Sequence, residues 1–281
     1  MRLGKILAAA GFLLTGLIGA TSYAAEPVPW QTNFQPAVTY VMEEIASFHN
    51  LLLVIIFLIS AFVLVLLAVT MWKFSAKRNP VPSQTTHNTM LEMLWTVVPV
   101  IILVVIAVPS FKLLYLSDEI PEKIDVTIKA TGNQWYWTYE YPDHGKFSFD
   151  SNMIPDNEIK PGQVRLLETD TVVVLPVNKN IRVQVTASDV LHAWAIPAFG
   201  VKIDGVPGRL NEIWFNATKE GTYYGQCSEL CGVNHGFMPI RVDIVSQAKF
   251  DAWVAAQRKV AGIDSAPDSK RAVAALNKTE R

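Results

Sequence analysis

Two long segments without any charged side chain stand out in the hydrophobic pattern of the chain, residues 51–72 and residues 93–111. An α-helix rises about 1.5 Å per residue, so about 20 apolar residues cross the hydrocarbon core of a bilayer, which is about 30 Å thick. We therefore predict two membrane-spanning helices, one over about 48–72 and the other over about 91–114.

The N-terminus follows a different pattern, in which two basic residues precede the apolar run 6–18 and small residues follow it. This order is typical of an export signal. We predict that residues 1–25 form a signal peptide, with cleavage near Ala24 or Ala25. A retained membrane helix is the weaker alternative, because the apolar run is short and no basic stop follows it.

The charges beside the two predicted spans give their orientation. Lys73, Lys77 and Arg78 lie between the spans, whereas residues 26–50 contain glutamates but neither lysine nor arginine. Basic loops stay on the cytoplasmic side of a membrane. We therefore expect the loop to face the cytoplasm and both mature ends to lie on the exported side, which agrees with an export signal.

Past residue 121 the apolar residues come in short runs that are rich in β-branched and aromatic side chains, and turn sequences with proline and glycine separate the runs. Such runs predict β-strands, here over 124–130, 134–141, 181–188, 212–217 and 238–245. We expect an all-β domain over 121–246, built as a compact antiparallel sandwich or barrel.

The last part of the chain changes pattern again. Phe250, Trp253 and Val254 recur at helical spacing, which predicts one helix over 246–260. Within the C-terminal segment 247–281, the polar residues that follow this helix are predicted to be loosely ordered. The composition agrees with a membrane segment joined to a folded domain, since 51% of the residues are hydrophobic, and a formal net charge of -1 gives no sign of a nucleic-acid partner.

Four side chains that bind soft metals lie within twelve positions of each other, and these are Cys227, Cys231, His235 and Met238. Thiolate, thioether and imidazole are the ligands that copper prefers, whereas calcium and magnesium require oxygen ligands. Zinc bound by the cysteines and two histidines remains an alternative. A disulfide is another, because two cysteines in an exported chain pair by default.

A further strong ligand is needed, and His192 is the candidate because it lies at the end of a predicted strand, where a loop can bring it to the cluster. Taken alone, a histidine with apolar neighbours is more often a hydrogen-bonded structural residue. The cysteine cluster favours the ligand interpretation. His49 and His87 flank the spans and His144 lies in a predicted turn, so we do not expect these three to bind the metal.

These residues occur in motifs that closely resemble cytochrome c oxidase subunit II of the bacterial aa3 type, in the haem-copper oxidase superfamily. The motifs are Asp189-Val-Leu-His192-Ala-Trp194, Pro207-Gly-Arg209, Tyr223-Tyr-Gly-Gln-Cys227, the aromatic run Gln134-Trp135-Tyr136-Trp137 and the cysteine cluster. The resemblance covers nearly the whole chain. It implies an N-terminal segment and two-helix transmembrane hairpin at 26–120, followed by a cupredoxin-like sandwich or barrel domain at 121–246.

The resemblance also implies a ligand set for a dinuclear, mixed-valence copper A centre. In that family both cysteine sulfurs bridge two copper ions, here Cys227 and Cys231. His192 and His235 each bind one copper ion through nitrogen. Two weaker contacts come from the sulfur of Met238 and from the backbone carbonyl of Glu229. The Glu229 side chain is expected to reach a magnesium or manganese ion held mainly by subunit I, and a solvated loop carboxylate is the alternative.

Other positions acquire roles by the same resemblance. Trp135 is expected to be the point at which electrons enter from cytochrome c. Glu92, at the cytoplasmic start of the second span, is expected to lie at the mouth of a proton path into subunit I; by position alone it would simply favour the helix dipole. An acidic docking patch for cytochrome c is expected at four residues, which would otherwise be ordinary solvated charges: Glu140, Asp143, Asp170 and Asp189.

We therefore expect an electron-entry subunit that works with subunit I, which carries haem a, haem a3 and copper B, and with subunit III. It would lie in a bacterial inner membrane with its copper domain in the periplasm, and oxygen reduction itself would occur in subunit I. A copper-free quinol oxidase subunit lacks the cysteines and histidines present here. A solitary copper carrier has no use for two spans. A fused cytochrome form requires a Cys-x-x-Cys-His motif, which the sequence lacks.

Overall fold

A computed structural model of the chain describes residues 23–263. The predicted signal peptide lies outside these residues except for its last three positions. The polar tail predicted for the end of the chain lies outside them beyond residue 263.

Two long helices form the membrane hairpin, α1 (Tyr40–Lys73) and α2 (Thr89–Asp118). Both are long and apolar enough to cross a bilayer, and no side chain in the most apolar stretch of either helix is buried. Helices with apolar side chains on all sides are stable in lipid or against other helices. The hairpin therefore presents its surface to lipid or to other helices.

Helix α1 begins well before the predicted start near residue 48. Thr39 caps it, because its hydroxyl oxygen accepts a hydrogen bond from the Met42 amide (3.0 Å) while its own hydroxyl donates to the Phe199 carbonyl (2.7 Å). Val41 and Met42 are buried in the first turn. The start of the helix is therefore fixed by contacts with the folded domain. Two glutamates in this part of the helix lie outside the uncharged segment from which the span was predicted, so the prediction began too late.

The domain contains eleven described strands, one of which, β1, precedes α1. Their bounds are β1 Tyr23–Ala25, β2 Val126–Asn133, β3 Tyr136–Tyr141, β4 Phe147–Ser151, β5 Val173–Pro176, β6 Ile181–Ala187, β7 His192–Ile196, β8 Val201–Gly205, β9 Asn211–Phe215, β10 Gly221–Gln226 and β11 Pro239–Val245. One sheet has the order β1-β10-β11-β5, a second has the order β4-β3-β2-β6-β9, and β7 and β8 form a separate two-stranded ribbon.

The two larger sheets form the predicted sandwich, but its sheets are mixed and not purely antiparallel. Strands β1 and β10, β5 and β11, and β2 and β6 pair in parallel. Parallel neighbours cannot be joined by a tight hairpin and need a long crossover. The antiparallel prediction was wrong because strand runs read one at a time do not reveal which distant runs become neighbours.

One apolar core fills the space between the sheets. Strand β6 contributes alternate side chains to it, with Ile181, Val183 and Val185 fully buried. Large aromatic side chains complete the core, among them Trp194, whose indole N–H donates to the Tyr139 hydroxyl (3.2 Å). Each buried side chain of this size stabilises the fold by about 1.5–3 kcal/mol. The core thereby fixes the strands that carry the site.

Strand β7 is buried along its whole length and contacts both β2 and β10. Its backbone passes so close to β10 that a Cβ atom added at Gly225 would lie 1.9 Å from the Ala195 carbonyl oxygen. Only a residue without a side chain fits there. The close approach places the first residue of β7 beside the end of β10.

Helix α3 (Gln247–Val260) closes the aromatic side of the sandwich, as predicted for 246–260. Phe250 and Val254 are buried. Trp253 packs against a cluster of rings that belongs to β3 and β4, with centroid distances of 5.1 Å to Tyr141 and 5.6 Å to Phe147. The helix is therefore held mainly by aromatic packing.

His144 lies within this aromatic packing and makes the helix sensitive to acid. Its ring packs edge-on against Phe250 at 5.2 Å. Burial lowers the pKa of His144, which the nearby carboxylates of Asp143 and Asp251 oppose and Arg258 reinforces. The unfolded chain therefore takes up this proton more readily than the folded chain. The stabilising contribution is complete above the unfolded pKa of about 6.5 and is lost as the pH falls from there through the lower folded pKa.

We expect a His144→Leu variant to lose less thermal stability than the wild type between about pH 8 and about pH 5, because leucine keeps apolar packing and cannot be protonated. Thermal unfolding of both chains in detergent across this range measures the difference. Equal losses in the two chains would contradict the role given to His144.

Candidate metal centre

The cysteine cluster forms a closed loop between two paired strands, β10 and β11. The Cys227 amide donates to the Met238 carbonyl (3.0 Å), which fastens the two ends of the loop together. The Ser228 amide donates to the Ala193 carbonyl of β7 (3.1 Å), and the His235 amide donates to the Gly232 carbonyl (3.2 Å). These backbone bonds hold the loop, residues 227–238, in one conformation.

Two thiols lie at the centre of the site, each with an imidazole beside it. The sulfurs of Cys227 and Cys231 are 3.8 Å apart, and both cysteines are buried and free. A disulfide requires a sulfur separation of about 2.05 Å. His192 Nδ1 lies 3.8 Å from the Cys227 sulfur, and His235 Nδ1 lies 3.6 Å from the Cys231 sulfur. Each ring thus approaches a different sulfur.

The two weaker candidate ligands are also at the site. The Glu229 carbonyl oxygen lies 3.3 Å from the Cys227 sulfur and accepts a hydrogen bond from its thiol. Met238 is fully buried and belongs to the same apolar cluster as both cysteines. The Glu229 side chain is only partly buried. The fold therefore brings all six predicted metal-site residues to one place.

The donor set fits a bound metal. Metal–sulfur bonds of about 2.3 Å allow one ion to contact two sulfurs that are 3.8 Å apart. The ligand atoms of His192, Cys227 and Cys231 all lie within 4.8 Å of one another. Soft sulfur with imidazole nitrogen suits copper, and also zinc. The presence of an imidazole beside each of the two sulfurs is compatible with a pair of copper ions.

The two thiols differ in acidity. Burial raises the pKa of the Cys227 thiol, but hydrogen bonding to its thiolate, chiefly from the His192 ring, outweighs burial and lowers the pKa to about 6. The pKa of Cys231 is raised, because burial disfavours its charged form and the Cys227 thiolate repels a second negative charge. The pair therefore holds one proton at neutral pH, and a bound cation would have to replace that proton.

His192 is held from both sides of its ring. Its Nε2 lies 2.9 Å from Asp189 Oδ1, and the ring is fully buried. A Cβ atom added at Gly132 would lie 2.7 Å from a ring carbon of His192. Sequence reasoning missed Gly132, since only the folded structure shows that the ring packs on its backbone.

The predicted structural position of His192 was wrong in one respect. His192 does not lie in a loop after a strand; it is the first residue of β7, a buried strand that was not predicted. Leu191 and Val190, just before it, are exposed. A short apolar run that is buried on both faces gives no alternation by which to recognise a strand.

Trp135 lies against the metal loop. Its indole N–H donates to the Cys231 carbonyl (3.2 Å), and the Gln134 side-chain amide donates to the same oxygen (2.7 Å). Trp135 is partly buried. Gly232 of the loop has φ +120°, and an added Cβ would lie 3.1 Å from the Trp135 ring. The predicted entry residue is therefore in direct contact with the loop that carries the thiols.

An apolar depression of about 490 Å³ opens beside the site. Its walls are Gln134, Val190, Leu230, Cys231 and Gly232. Leu230, in its wall, is 76% exposed, and Val233, three positions further along the loop, is 83% exposed. Exposed apolar side chains around a buried centre are typical of a surface that contacts another protein.

The four acidic residues predicted to form a docking patch have different surroundings. Asp189 contacts His192. Asp143 accepts a hydrogen bond from the Thr127 amide (2.8 Å), and Asp170 accepts two from Asn152. Glu140 lies on β3, opposite Lys129 of β2. Asp189 is thus the one of these four that touches a candidate ligand among the described residues.

The remaining predicted residues lie away from the centre. Glu92 is in the first turn of α2, where its carboxylate accepts a hydrogen bond from the Asn88 amide (3.3 Å) and so helps to cap the helix. The His49 ring packs at a tilt against the Phe34 ring, and His87 lies beside Thr86. Glu92 thus lies at the loop end of the hairpin, and the whole length of α2 separates it from the domain that carries the metal centre.

Comparison with known proteins agrees with this architecture. A family model described as "Cytochrome C oxidase subunit II, periplasmic domain" matches residues 126–245, and one described as "Cytochrome C oxidase subunit II, transmembrane domain" matches residues 27–113. A probable cytochrome c oxidase subunit 2 of Rickettsia bellii is 53% identical over 250 residues, covering 88% of this chain and 93% of the relative. Cytochrome c oxidase subunit 2 of Arabidopsis thaliana is 49% identical over 239 residues, covering 83% and 91%.

Among solved structures, the periplasmic domain of subunit II of cytochrome oxidase from Bradyrhizobium japonicum is similar, with 59% identity and a TM-score of 0.47. The match covers 50% of this chain and 98% of that one. The two family matches account for both the hairpin and the β-domain. The protein is thus a membrane protein with a periplasmic domain that carries a His/Cys/Cys candidate metal site. The chain belongs to the cytochrome c oxidase subunit II family, whose members are subunits of an oxidoreductase.

Proposed function

We propose that the chain is the electron-entry subunit of a cytochrome c oxidase. It accepts electrons from cytochrome c at a dinuclear copper A centre and passes them to haem in subunit I, where oxygen is reduced to water with proton pumping. The observation that supports this proposal most strongly is the pair of free sulfurs 3.8 Å apart with one imidazole nitrogen beside each. When bound, the copper pair supplies a one-electron redox couple.

The protein contributes a rigid set of ligands. Cys227 and Cys231 would offer their sulfurs to the copper pair, and His192 and His235 would each offer one ring nitrogen. Met238 and the Glu229 carbonyl offer the weaker contacts. Because the loop ends are fastened by the bond from the Cys227 amide to the Met238 carbonyl, the ligands move little when charge changes. A preorganised site of this kind suits electron transfer better than substrate binding.

The surface above the centre supports a role in receiving the electron donor. Trp135 reaches the Cys231 carbonyl through one hydrogen bond, so an electron arriving at the indole is one contact from the metal loop. The apolar depression gives a small area for contact with the donor. Glu140, Asp143, Asp170 and Asp189 would attract a basic donor, and such charges act on the rate of encounter over about 8 Å at physiological salt.

Two further carboxylates would serve the assembled oxidase. The Glu229 side chain is partly exposed and makes no hydrogen bond within the described residues, which leaves it available for a magnesium or manganese ion shared with subunit I. Glu92 would lie at the mouth of a proton path into subunit I. The exposed apolar surfaces of α1 and α2 would contact subunit I, subunit III and lipid.

The same proposal places the chain in a bacterial inner membrane. A signal peptide at 1–25 would be removed, and both mature ends would lie in the periplasm. The hairpin segment at 26–120 would anchor the copper domain at 121–246, followed by the helix and tail at 247–281. The basic residues between the helices, Lys73, Lys77 and Arg78, support the cytoplasmic side for the loop.

Counting metal in the purified chain tests this function. We expect the full-length chain in detergent, loaded with copper, to hold two copper ions. Its EPR spectrum should show seven hyperfine lines, because one unpaired electron is shared by two copper nuclei. One copper ion with a four-line spectrum would instead indicate a mononuclear carrier. Retention of zinc with no copper would indicate a structural metal site.

A further inference from the structure

We propose that Asp189 is a positioning residue of the metal centre, which orients the His192 ligand and links it to the turn that carries Trp135. This inference rests on the proposed function and adds to it. As a member of a docking patch, Asp189 would act only through its charge toward a distant partner. Its contacts within the chain assign it a second role.

The carboxylate of Asp189 has three partners, and all belong to the metal centre or its surroundings. Oδ1 lies 2.9 Å from His192 Nε2 and accepts a hydrogen bond from the Val190 amide (2.6 Å). Oδ2 accepts a hydrogen bond from the Gln134 amide (2.8 Å). A carboxylate bound on both oxygens in this way cannot rotate freely. It therefore offers His192 an acceptor in a fixed position.

In the neutral His192 ring, the form that binds a metal, this contact decides which nitrogen carries the proton. An ionised carboxylate only accepts hydrogen bonds, so Nε2 must be the donor to Asp189. Nδ1, which faces Cys227 at 3.8 Å, is then free to offer its lone pair to a metal. Partners of this kind on the second nitrogen are known to orient metal-binding histidines and raise their basicity.

Packing alone cannot replace the carboxylate. The backbone at Gly132 and the edge of Trp137, 6.0 Å away between ring centroids, restrict the plane of the His192 ring. Neither contact distinguishes one ring nitrogen from the other. Because His192 is fully buried, removal of Asp189 would leave the Nε2 proton without an acceptor, and a buried unpaired donor is unfavourable.

Asp189 also joins the two sides of the centre. On one side it holds His192, which faces Cys227. On the other it holds the backbone of Gln134, whose side chain and whose neighbour Trp135 both donate to the Cys231 carbonyl. The side chain of Asp189 is 33% exposed, so a basic group of the electron donor can reach the same carboxylate. Donor recognition and ligand orientation therefore share one side chain.

Asp189→Asn and Asp189→Ala variants of the full-length chain in detergent separate this role from docking. The matched control is Asp170→Asn, which removes the same charge from a patch residue bonded to Asn152. We expect copper affinity to fall about 10–100-fold in the Asp189→Ala variant, with shifted EPR hyperfine splitting and absorption bands. Asp189→Asn should show a smaller change, because its amide oxygen still accepts from His192 while its nitrogen opposes the Gln134 amide. Asp170→Asn should match the wild type in both readouts.

The outcomes distinguish this inference from the proposed function. The inference would be overturned if both Asp189 variants kept the wild-type copper affinity and spectra and differed only in a slower reaction with cytochrome c. That result would show a docking role only. A wild-type chain that does not hold two copper ions would instead refute the proposed function. Circular dichroism of the metal-free chains checks folding, and if Asp189→Ala does not fold, the nearly isosteric Asp189→Asn decides the question.

Discussion

Replacing Cys227 with serine is expected to abolish the proposed dinuclear copper centre. A serine hydroxyl is a hard ligand that stays protonated at neutral pH, so it cannot replace a thiolate that bridges two copper ions. The Cys227 sulfur also lies 3.8 Å from His192 Nδ1, and the Cys227 amide closes the metal loop. We expect copper affinity to fall by more than about 100-fold and the seven-line EPR pattern to disappear. Copper content per chain and the EPR spectrum measure both effects.

Ser228→Ala is the matched control for this substitution. Ser228 is the next residue, is exposed, and uses its hydroxyl only to donate to the Gln226 carbonyl (3.0 Å), while its amide bond to Ala193 does not depend on the side chain. The control should keep two copper ions and an unchanged spectrum. A Cys227→Ser variant that still held two copper ions with the wild-type spectrum would exclude this cysteine as a bridging ligand.

Adding a single methyl group at Gly225 is expected to destabilise the domain strongly. The new Cβ would lie 1.9 Å from the Ala195 carbonyl oxygen and 2.9 Å from its carbon, and both atoms belong to the backbone of β7. Backbone in the middle of a packed core cannot move aside as a flexible side chain can. We expect Gly225→Ala to lose about 3 kcal/mol or more of stability, and to lower the thermal midpoint by about 6–12 °C.

The same substitution should weaken copper binding, because it pushes apart the two strands that place the ligands. β7 begins with His192, and β10 ends immediately before Cys227. Gly236→Ala is the control, since a Cβ atom there meets no atom within 4 Å although it lies in the metal loop. It should unfold at the wild-type temperature. A Gly225→Ala chain as stable as this control would mean that β7 and β10 can separate without cost.

The features that the sequence predicts well are those that depend on neighbouring residues. The two spans follow from the length of their uncharged segments, and the family matches agree with the resemblance noted from the sequence. Five of the six proposed copper ligands, counting the backbone carbonyl of Glu229, lie in one loop, so their proximity was evident before the fold was known. Helix α3 was predicted from its apolar spacing and is found at Gln247–Val260.

The features that the sequence does not predict depend on distant contacts. Strand β2 pairs in parallel with β6, about half the domain away in sequence, and no local pattern records that choice. The first turns of α1 are fixed by Thr39 and the Phe199 carbonyl. The bond between Asp189 and Gln134 spans 55 positions. Such bonds exist only after the sheets have assembled, which is why Asp189 was predicted as part of a docking patch and not as a neighbour of the metal centre.

The division of the proposed copper ligands between one loop and one distant strand determines the order in which the centre can assemble. Cys227, Cys231, His235 and Met238 come together when β10 and β11 form a hairpin, a contact between residues close in the chain. His192 arrives only when β7 docks beside β10, and contacts of greater sequence separation form more slowly. A newly exported chain would therefore present a half-built copper site first. The complete set of ligands, including His192, would then be present only after the sandwich has formed.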